Sequence, residues 1–133
     1  INVLESSRQD TQEFINLITV RVKTTKMESV VSGTLFGKSD PRVVKINDFR
    51  LEMRPEGYLT LIHNLDIPGE IGGIGTVLGE NNVNIARMTV GQESAGEGGR
   101  NIVFLRTDTP LNENILAKLR DMPQARTVIY MEL

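Results

Sequence analysis

The first half of the chain alternates between apolar and polar positions, which predicts β-strands that each bury one face. Ile18, Val20 and Val22 are apolar, whereas the residues between them are polar. Asn47-Asp48 fits the two-residue turn of a β-hairpin between two such segments. Residues 1–14 lack this alternation, and we predict a polar linker there. The strands predicted in this half span residues 15–23, 28–36, 42–46 and 49–54.

The second half has a different pattern, in which two helical segments separate the predicted strands. Apolar residues at helical spacing predict two amphipathic helices, each with one stripe that faces the core. Asn112 is the predicted N-cap of the second helix. The two stripes consist of Ile67, Ile71, Ile74 and Leu78, and of Leu111, Ile115, Leu119 and Met122. The predicted strands span residues 58–63, 83–92, 100–106 and 127–133.

The order of these elements predicts an α+β fold in two parts. A small, mostly-β domain would occupy residues 15–56, and a ferredoxin-like βαββαβ domain would occupy residues 57–133. Pro55-Glu56-Gly57 breaks the strand pattern and marks the boundary. In the second domain, two helices would cover one face of a four-stranded antiparallel sheet. Its other face and its edge strands would then remain available for partners.

The segment Asp66–Gly69 predicts a helix start that suits a small zwitterion. Asp66 is a possible N-cap, and Pro68 fits the first helical turn because it has no backbone N–H to leave unpaired. Free N–H groups at a helix start attract anions, while the Asp66 carboxylate would take an amine. Alternatively, Asp66 is only a cap and Asn84 only part of a turn. The glycines of this segment then serve close packing of helix on sheet; they are Gly69, Gly72, Gly73 and Gly75.

Composition excludes several classes of function. The chain has 133 residues, a net charge of -2 and no basic stripe with interleaved aromatic residues, which argues against nucleic acid as a partner. No apolar run is long enough to span a membrane. The chain has no cysteine and one histidine, His63, so we expect no metal site and no Cys/His catalysis. The absence of cysteine is compatible with a reducing compartment, and we expect a cytoplasmic protein. Because the first residue is Ile1, we also expect a fragment of a longer protein.

Both halves contain motifs of known domains. Asp66–Gly69, Ile71-Gly72 and Asn82–Ile85 resemble an ACT domain, a small regulatory module that binds amino acids. The first half resembles the C-terminal part of the intervening, or allosteric substrate-binding, domain of long-form D-3-phosphoglycerate dehydrogenases. That resemblance rests on residues 16–22, 32–37, 41–46 and 54–57. The two blocks in this order favour that family, and the iron–sulfur L-serine dehydratases or a free-standing ACT amino-acid sensor stay open as alternatives.

The ACT resemblance implies an effector site at an interface between subunits. In this family L-serine is a feedback inhibitor that binds between paired ACT domains. The matching positions are Asp66, which would take the ammonium group, and Asn84, which would reach the ligand from the facing subunit. Asn64 is a third matching position, although it departs from the aromatic or histidine side chain of some relatives. The resemblance therefore also implies self-association as a dimer or tetramer.

The resemblance of the first half implies a second site, for a ligand that carries a phosphate. Arg42 and Arg54 match the basic side chains of the intervening domain, and Arg106 would join them from the ACT domain. Guanidinium groups suit phosphate oxygens because they donate two parallel hydrogen bonds. We expect no catalytic residue and no cofactor in this chain. The resemblance implies that the parent protein is an NAD-dependent dehydrogenase of L-serine biosynthesis.

Overall fold

The computed structural model describes residue 14, residues 16–93 and residues 99–133. The predicted linker therefore lies outside the described residues, apart from Phe14. All predicted strands and helices of the described part are present in the predicted order, and the α+β fold is confirmed. The elements are β1 (Ile18–Lys23), β2 (Glu28–Phe36), β3 (Asp40–Ile46), β4 (Phe49–Met53), β5 (Tyr58–Leu65), α1 (Glu70–Glu80), β6 (Ile85–Glu93), β7 (Arg100–Thr107), α2 (Glu113–Arg120) and β8 (Ala125–Glu132).

The eight strands form one antiparallel sheet in the order β1-β2-β3-β4-β6-β7-β5-β8. The predicted domain boundary falls between β4 and β5, and the two halves join where β4 pairs with β6. Phe49 pairs there with Glu93, and Arg50 pairs with Gln92. Strands β5 and β6 both run antiparallel to β7, so they are parallel to each other. This strand order determines which ends of the strands lie next to one another.

The two helices cover one face of the sheet, as predicted. Ile74 and Leu78 of α1 and Leu119 of α2 are buried there with Ile62 of β5. Asn112 caps α2, since its Oδ1 accepts a hydrogen bond of 3.0 Å from the N–H of Ile115. Burial of several such side chains stabilises the layer by roughly 1.5–3 kcal/mol each.

The opposite face is also covered, so the prediction that it would remain available for partners is wrong. Phe49, Leu51 and Met53 of β4 pack in one cluster with Leu61 of β5 and Phe104 of β7. Strands β5 and β7 carry buried apolar residues on both faces, and such strands need cover on both sides. Strand β4 supplies the second cover, and the two halves therefore share a core.

A glycine makes this junction possible. A Cβ atom added at Gly91 of β6 would lie 2.8 Å from the backbone oxygen of Arg50 and 2.7 Å from a methyl carbon of Ile102. Real side chains do not approach that closely, so β4 packs against β6 only because position 91 has no side chain.

The start of α1 differs from its prediction. The helix begins at Glu70, and Gly69 is the N-cap with a φ of 89°, a left-handed conformation that favours glycine. No side chain of the described residues caps this helix, so Asp66 is not its cap, and Pro68 lies before the helix rather than in its first turn. The predicted apolar stripe is also wrong at its N-terminal end. Ile67 and Ile71 are 47% and 40% exposed, because the first turn buries Glu70 instead.

Candidate functional site

Four arginines line one cavity of about 220 Å³ between the two halves of the chain, which we call the arginine pocket. Arg42 comes from β3, Arg54 follows β4, Arg87 comes from β6 and Arg106 comes from β7, with the ring of Phe104 beside them. The structure thus brings together all three residues predicted for the anion site. It adds Arg87, which the sequence prediction missed.

The pairing of β6 with β7 places two of these arginines directly opposite each other. Arg87 is the register partner of Arg106 in the antiparallel ladder. Like charges at opposed positions destabilise a sheet, so this pair is costly unless a negative group lies between the two side chains. The cross-strand pairing is the signal that identifies Arg87, and it required the register of β6 against β7.

Acidic side chains from the first half neutralise most of the positive charge of the arginine pocket. Arg42 Nη2 lies 2.8 Å from Asp40 Oδ2, and Arg54 Nε lies 3.1 Å from Asp40 Oδ1. The hydrogen bond from Arg42 holds the pKa of Asp40 below its usual value, against a smaller opposing effect of burial. Glu52 also pairs with Arg42, at 2.8 Å.

The other two arginines of the pocket, Arg87 and Arg106, come from the second half and differ in whether they have an acidic partner. Arg106 pairs with Glu56 at 2.9 Å. The Arg87 side chain makes no hydrogen bond or ion pair with the residues that the structure describes, although it lines the pocket. The four arginines therefore face three carboxylates, and the unmatched cation is Arg87. This arrangement suits a small anion that would take Arg87 and share the paired arginines.

The predicted effector residues Asp66 and Asn84 lie at opposite ends of the ACT sheet. Asp66 follows the end of β5, whereas Asn84 precedes β6, whose first residue is level with Tyr58 at the start of β5 through Thr107 of β7. The seven steps from Tyr58 to Leu65 along β5 rise about 3.3 Å each, so the two ends of this strand are about 23 Å apart. One chain cannot place both side chains on one amino acid, and a shared ligand requires two copies.

The three predicted effector residues differ in accessibility. Asn84 is exposed, and its Nδ2 donates a hydrogen bond of 2.6 Å to Asp108 Oδ2. Asp66 Oδ1 accepts one of 3.3 Å from Asn101 Nδ2. Asn64 is only 1% exposed, with its side chain on the helix side of β5. Asp66 and Asn84 thus face solvent in this chain, whereas Asn64 lies beneath the surface.

The outer face of α1 is open and partly apolar between those two ends. Ile67, just before the helix, and Ile71 are exposed, and no atom of the described residues lies within 4 Å of a Cβ added at Gly72 or Gly75. Gly73 differs, since an added Cβ would lie 2.9 Å from Met122. Close packing therefore explains Gly73, but not the glycines that face outward.

His63 is the remaining side chain with a possible chemical role. Burial and the charge of Arg100 lower its pKa, and its ring packs edge-on against Phe49 at 5.9 Å. It is half-buried beside the shared core, where it packs on Phe49, which is a structural role. Among the described residues no group of three or more His, Cys, Asp or Glu side chains is placed to hold a metal ion. Neither helix of the described chain is long and apolar enough to cross a membrane.

Two family profiles match the chain in tandem. The ACT domain profile matches residues 58–124. The chain belongs to the ACT domain family. The profile of the D-3-phosphoglycerate dehydrogenase intervening domain matches residues 1–47, so both resemblances deduced from the motifs are confirmed. In this ACT domain, the helices lie on one face of the sheet and strand β4 on the other.

Curated relatives of this ACT domain chain align with it along most or all of its length. D-3-phosphoglycerate dehydrogenase of Archaeoglobus fulgidus is 31% identical over 133 residues, which is 100% of this chain and 25% of that protein. The enzyme of the same name from Bacillus subtilis is 34% identical over 118 residues, 89% of this chain and 22% of that protein. That of Methanocaldococcus jannaschii is 29% identical over 133 residues, again 100% and 25%. The chain spans about a quarter of the length of these relatives.

Proposed function

We propose that the chain is the regulatory region of a D-3-phosphoglycerate dehydrogenase and binds ligands without performing chemistry itself. The parent enzyme would oxidise 3-phosphoglycerate to 3-phosphohydroxypyruvate with NAD, the first step of the phosphorylated route to L-serine, in the cytoplasm. The similarity to relatives of that name across the chain supports this, and favours it over an L-serine dehydratase or a free-standing sensor. The parent would supply the NAD site and the catalytic residues.

The observation that carries the proposal is the arginine pocket. It is lined by both halves, so an anion bound there bridges the intervening domain and the ACT domain. A small phosphorylated acid suits the cavity in size and charge, since a phosphate group would take the unmatched Arg87 together with Arg106. Its binding favours the arrangement in which the two halves are joined, which is how a ligand shifts a conformational equilibrium.

Calorimetry with 3-phosphoglycerate tests the pocket. Arg87→Gln removes the unmatched cation, and we expect it to weaken binding about tenfold or more, the usual value of a hydrogen bond between charged groups. Arg126→Gln is the matched control, since Arg126 is an exposed arginine of β8, outside the pocket. Equal affinity of the two variants, or no binding by the unaltered chain, would contradict the proposed site.

A second function is supported by the positions of Asp66 and Asn84. We propose that L-serine binds between two ACT domains, with its ammonium group on Asp66 of one copy, while Asn84 of the other copy hydrogen-bonds the ligand. The length of β5, about 23 Å, separates the two side chains within one chain and requires such a pairing, and the exposed Ile67 and Ile71 at the start of α1 offer an apolar surface for it. Serine would then stabilise one interface geometry, with a coupling of about 1–3 kcal/mol to the parent enzyme.

Calorimetry with L-serine, run on the chain at concentrations where it is dimeric, tests this function. Asp66→Asn should abolish the heat of binding while the melting temperature is retained, whereas Asp121→Asn, at the exposed end of α2, should leave both unchanged. An unaltered chain that gives no heat with L-serine, glycine or another amino acid would contradict the effector site.

A further inference from the structure

A buried polar cluster lies beneath Asp66, at the start of α1. It consists of Asn64, Glu70 and Asn101, which are 1%, 3% and 3% exposed, and we call it the Glu70 cluster. Asn64 and Asn101 are direct cross-strand partners in β5 and β7. Asn101 Nδ2 donates to Glu70 Oε2 at 2.8 Å and reaches Asp66 Oδ1 at 3.3 Å. One amide group therefore links a buried carboxyl group to the solvent-facing carboxylate of the proposed effector site.

The Glu70 cluster has more acceptors than donors. Three of its oxygen atoms are buried and have no hydrogen-bond partner among the described residues: Asn64 Oδ1, Glu70 Oε1 and Asn101 Oδ1. Buried acceptors without donors are unfavourable, and a buried carboxylate with one hydrogen bond is especially so. A proton on Glu70 Oε1 would turn one of these acceptors into a donor and so reduce the excess of acceptors. The geometry therefore favours a neutral Glu70 in the unliganded chain.

The charges around Glu70 act in the same direction. Burial is the largest effect and raises the pKa of Glu70, while the hydrogen bond from Asn101 opposes it. The negative charge of Asp66 raises the pKa further, and Asn64 and the backbone of Ile67 lower it more weakly. Asp66 is the one charged group among these neighbours, and His63 points to the other face of the sheet. The ionisation of Glu70 is therefore sensitive to what neutralises Asp66.

We propose that Glu70 is a positioning residue of the Asp66 site, and that a primary ammonium group bound beside Asp66 releases the Glu70 carboxyl proton. This inference rests on the proposed amino-acid site. The bound cation cancels the repulsion between the two carboxylates, so the O–H bond of Glu70 breaks, its electron pair stays on the carboxylate and the proton passes to bulk water. The ligand keeps its ammonium protons and uses them to donate hydrogen bonds to Asp66. Amino-acid binding and Glu70 ionisation are thus linked through Asn101.

The linkage makes binding depend on pH. Affinity rises with pH by up to about tenfold per unit between the Glu70 pKa values of the free and bound states, and it is constant outside that window. Glu70→Gln replaces the carboxyl group by an amide of the same shape that donates permanently. We expect this variant to bind L-serine without proton release and without that pH dependence. Glu80→Gln, at the exposed end of α1, should retain the behaviour of the unaltered chain.

The experiment is calorimetry with L-serine on the chain between pH 5 and 8, in two buffers of different ionisation enthalpy, which counts the protons released. Proton release by the unaltered chain that Glu70→Gln abolishes supports the inference. Serine binding with no proton release in the unaltered chain overturns it and leaves the effector site standing, and this result needs no variant. No serine binding at all removes the effector site instead.

A stability measurement without ligand distinguishes this role of Glu70 from a purely structural one. The folded-state pKa of Glu70 is raised, so its contribution to stability is full below the unfolded pKa and is lost as pH rises through the folded value. The unaltered chain should therefore lose stability relative to Glu70→Gln as pH rises. A stability difference that does not change with pH would overturn the neutral state on which the linkage depends.

Discussion

The two candidate sites of this chain are assembled in different ways. The arginine pocket is complete within one chain, because β4 joins β6 and brings Arg54 beside Arg87. The proposed effector residues Asp66 and Asn84 are held at opposite ends of the same sheet, so a site that uses both would be complete only between copies. Anion binding should therefore be independent of protein concentration, whereas serine binding should strengthen as the chain self-associates. If both proposals hold, one site responds to the junction between the two halves and the other to association of two copies.

The largest effect on stability is expected at the junction of the two halves, where β4 pairs with β6. Gly91→Val would drive a side chain into the backbone of β4 at Arg50 and into Ile102. We expect a loss of about 3 kcal/mol in the free energy of unfolding, at the upper end of overpacking effects, measured by urea denaturation.

Gly72→Ala is the control for this junction, since no atom of the described residues lies within 4 Å of a Cβ added at this helical position. It should stabilise the chain by about 0.5–1 kcal/mol, because alanine favours helix over glycine. If Gly91→Val were as stable as the unaltered chain, β4 would not pack on β6 as described.

A smaller effect is expected from Asp40, whose carboxylate competes with a bound anion for two arginines of the pocket. Asp40 holds Arg42 and Arg54 with its carboxylate and stays charged at neutral pH, because its pKa is lowered. Asp40→Asn should release both guanidinium groups and raise the affinity for inorganic phosphate about threefold to tenfold, the scale of partly exposed ion pairs. Calorimetry in low salt measures this. Unchanged or weaker phosphate binding would mean that Asp40 positions the arginines rather than competing for them.

Local patterns predicted the elements well and their long-range pairing poorly. Alternation locates strands because burial of one face repeats every two residues within the strand itself. The cover of the second sheet face by β4 depends on residues far apart in sequence. A signal was present in Asn101–Leu105, a run of consecutive buried residues, since a strand buried on both faces loses its alternation.

The sites show the same limit. Arg42, Arg54 and Arg106 came from the family motifs, whereas Arg87 became visible only when the register placed it opposite Arg106. The prediction of Asp66 as a cap failed because Gly69, with its positive φ, starts the helix later and turns Glu70 inward. A glutamate at a first helical position normally faces solvent, so its burial against Asn101 could not be deduced from spacing.

The smallest effect on stability is expected from a substitution on the open face of α1. The same substitution should distinguish the two candidate sites most clearly. Ile71→Ser alters an exposed side chain, so the free energy of unfolding of one chain should change by less than about 0.5 kcal/mol. Self-association and the affinity for L-serine should both fall, because the apolar surface between Asp66 of one copy and Asn84 of the other is reduced. Affinity for phosphate should stay constant, since the arginine pocket needs one chain. Sedimentation equilibrium with and without L-serine measures the first two, and a variant that dimerises normally would exclude α1 as the contact.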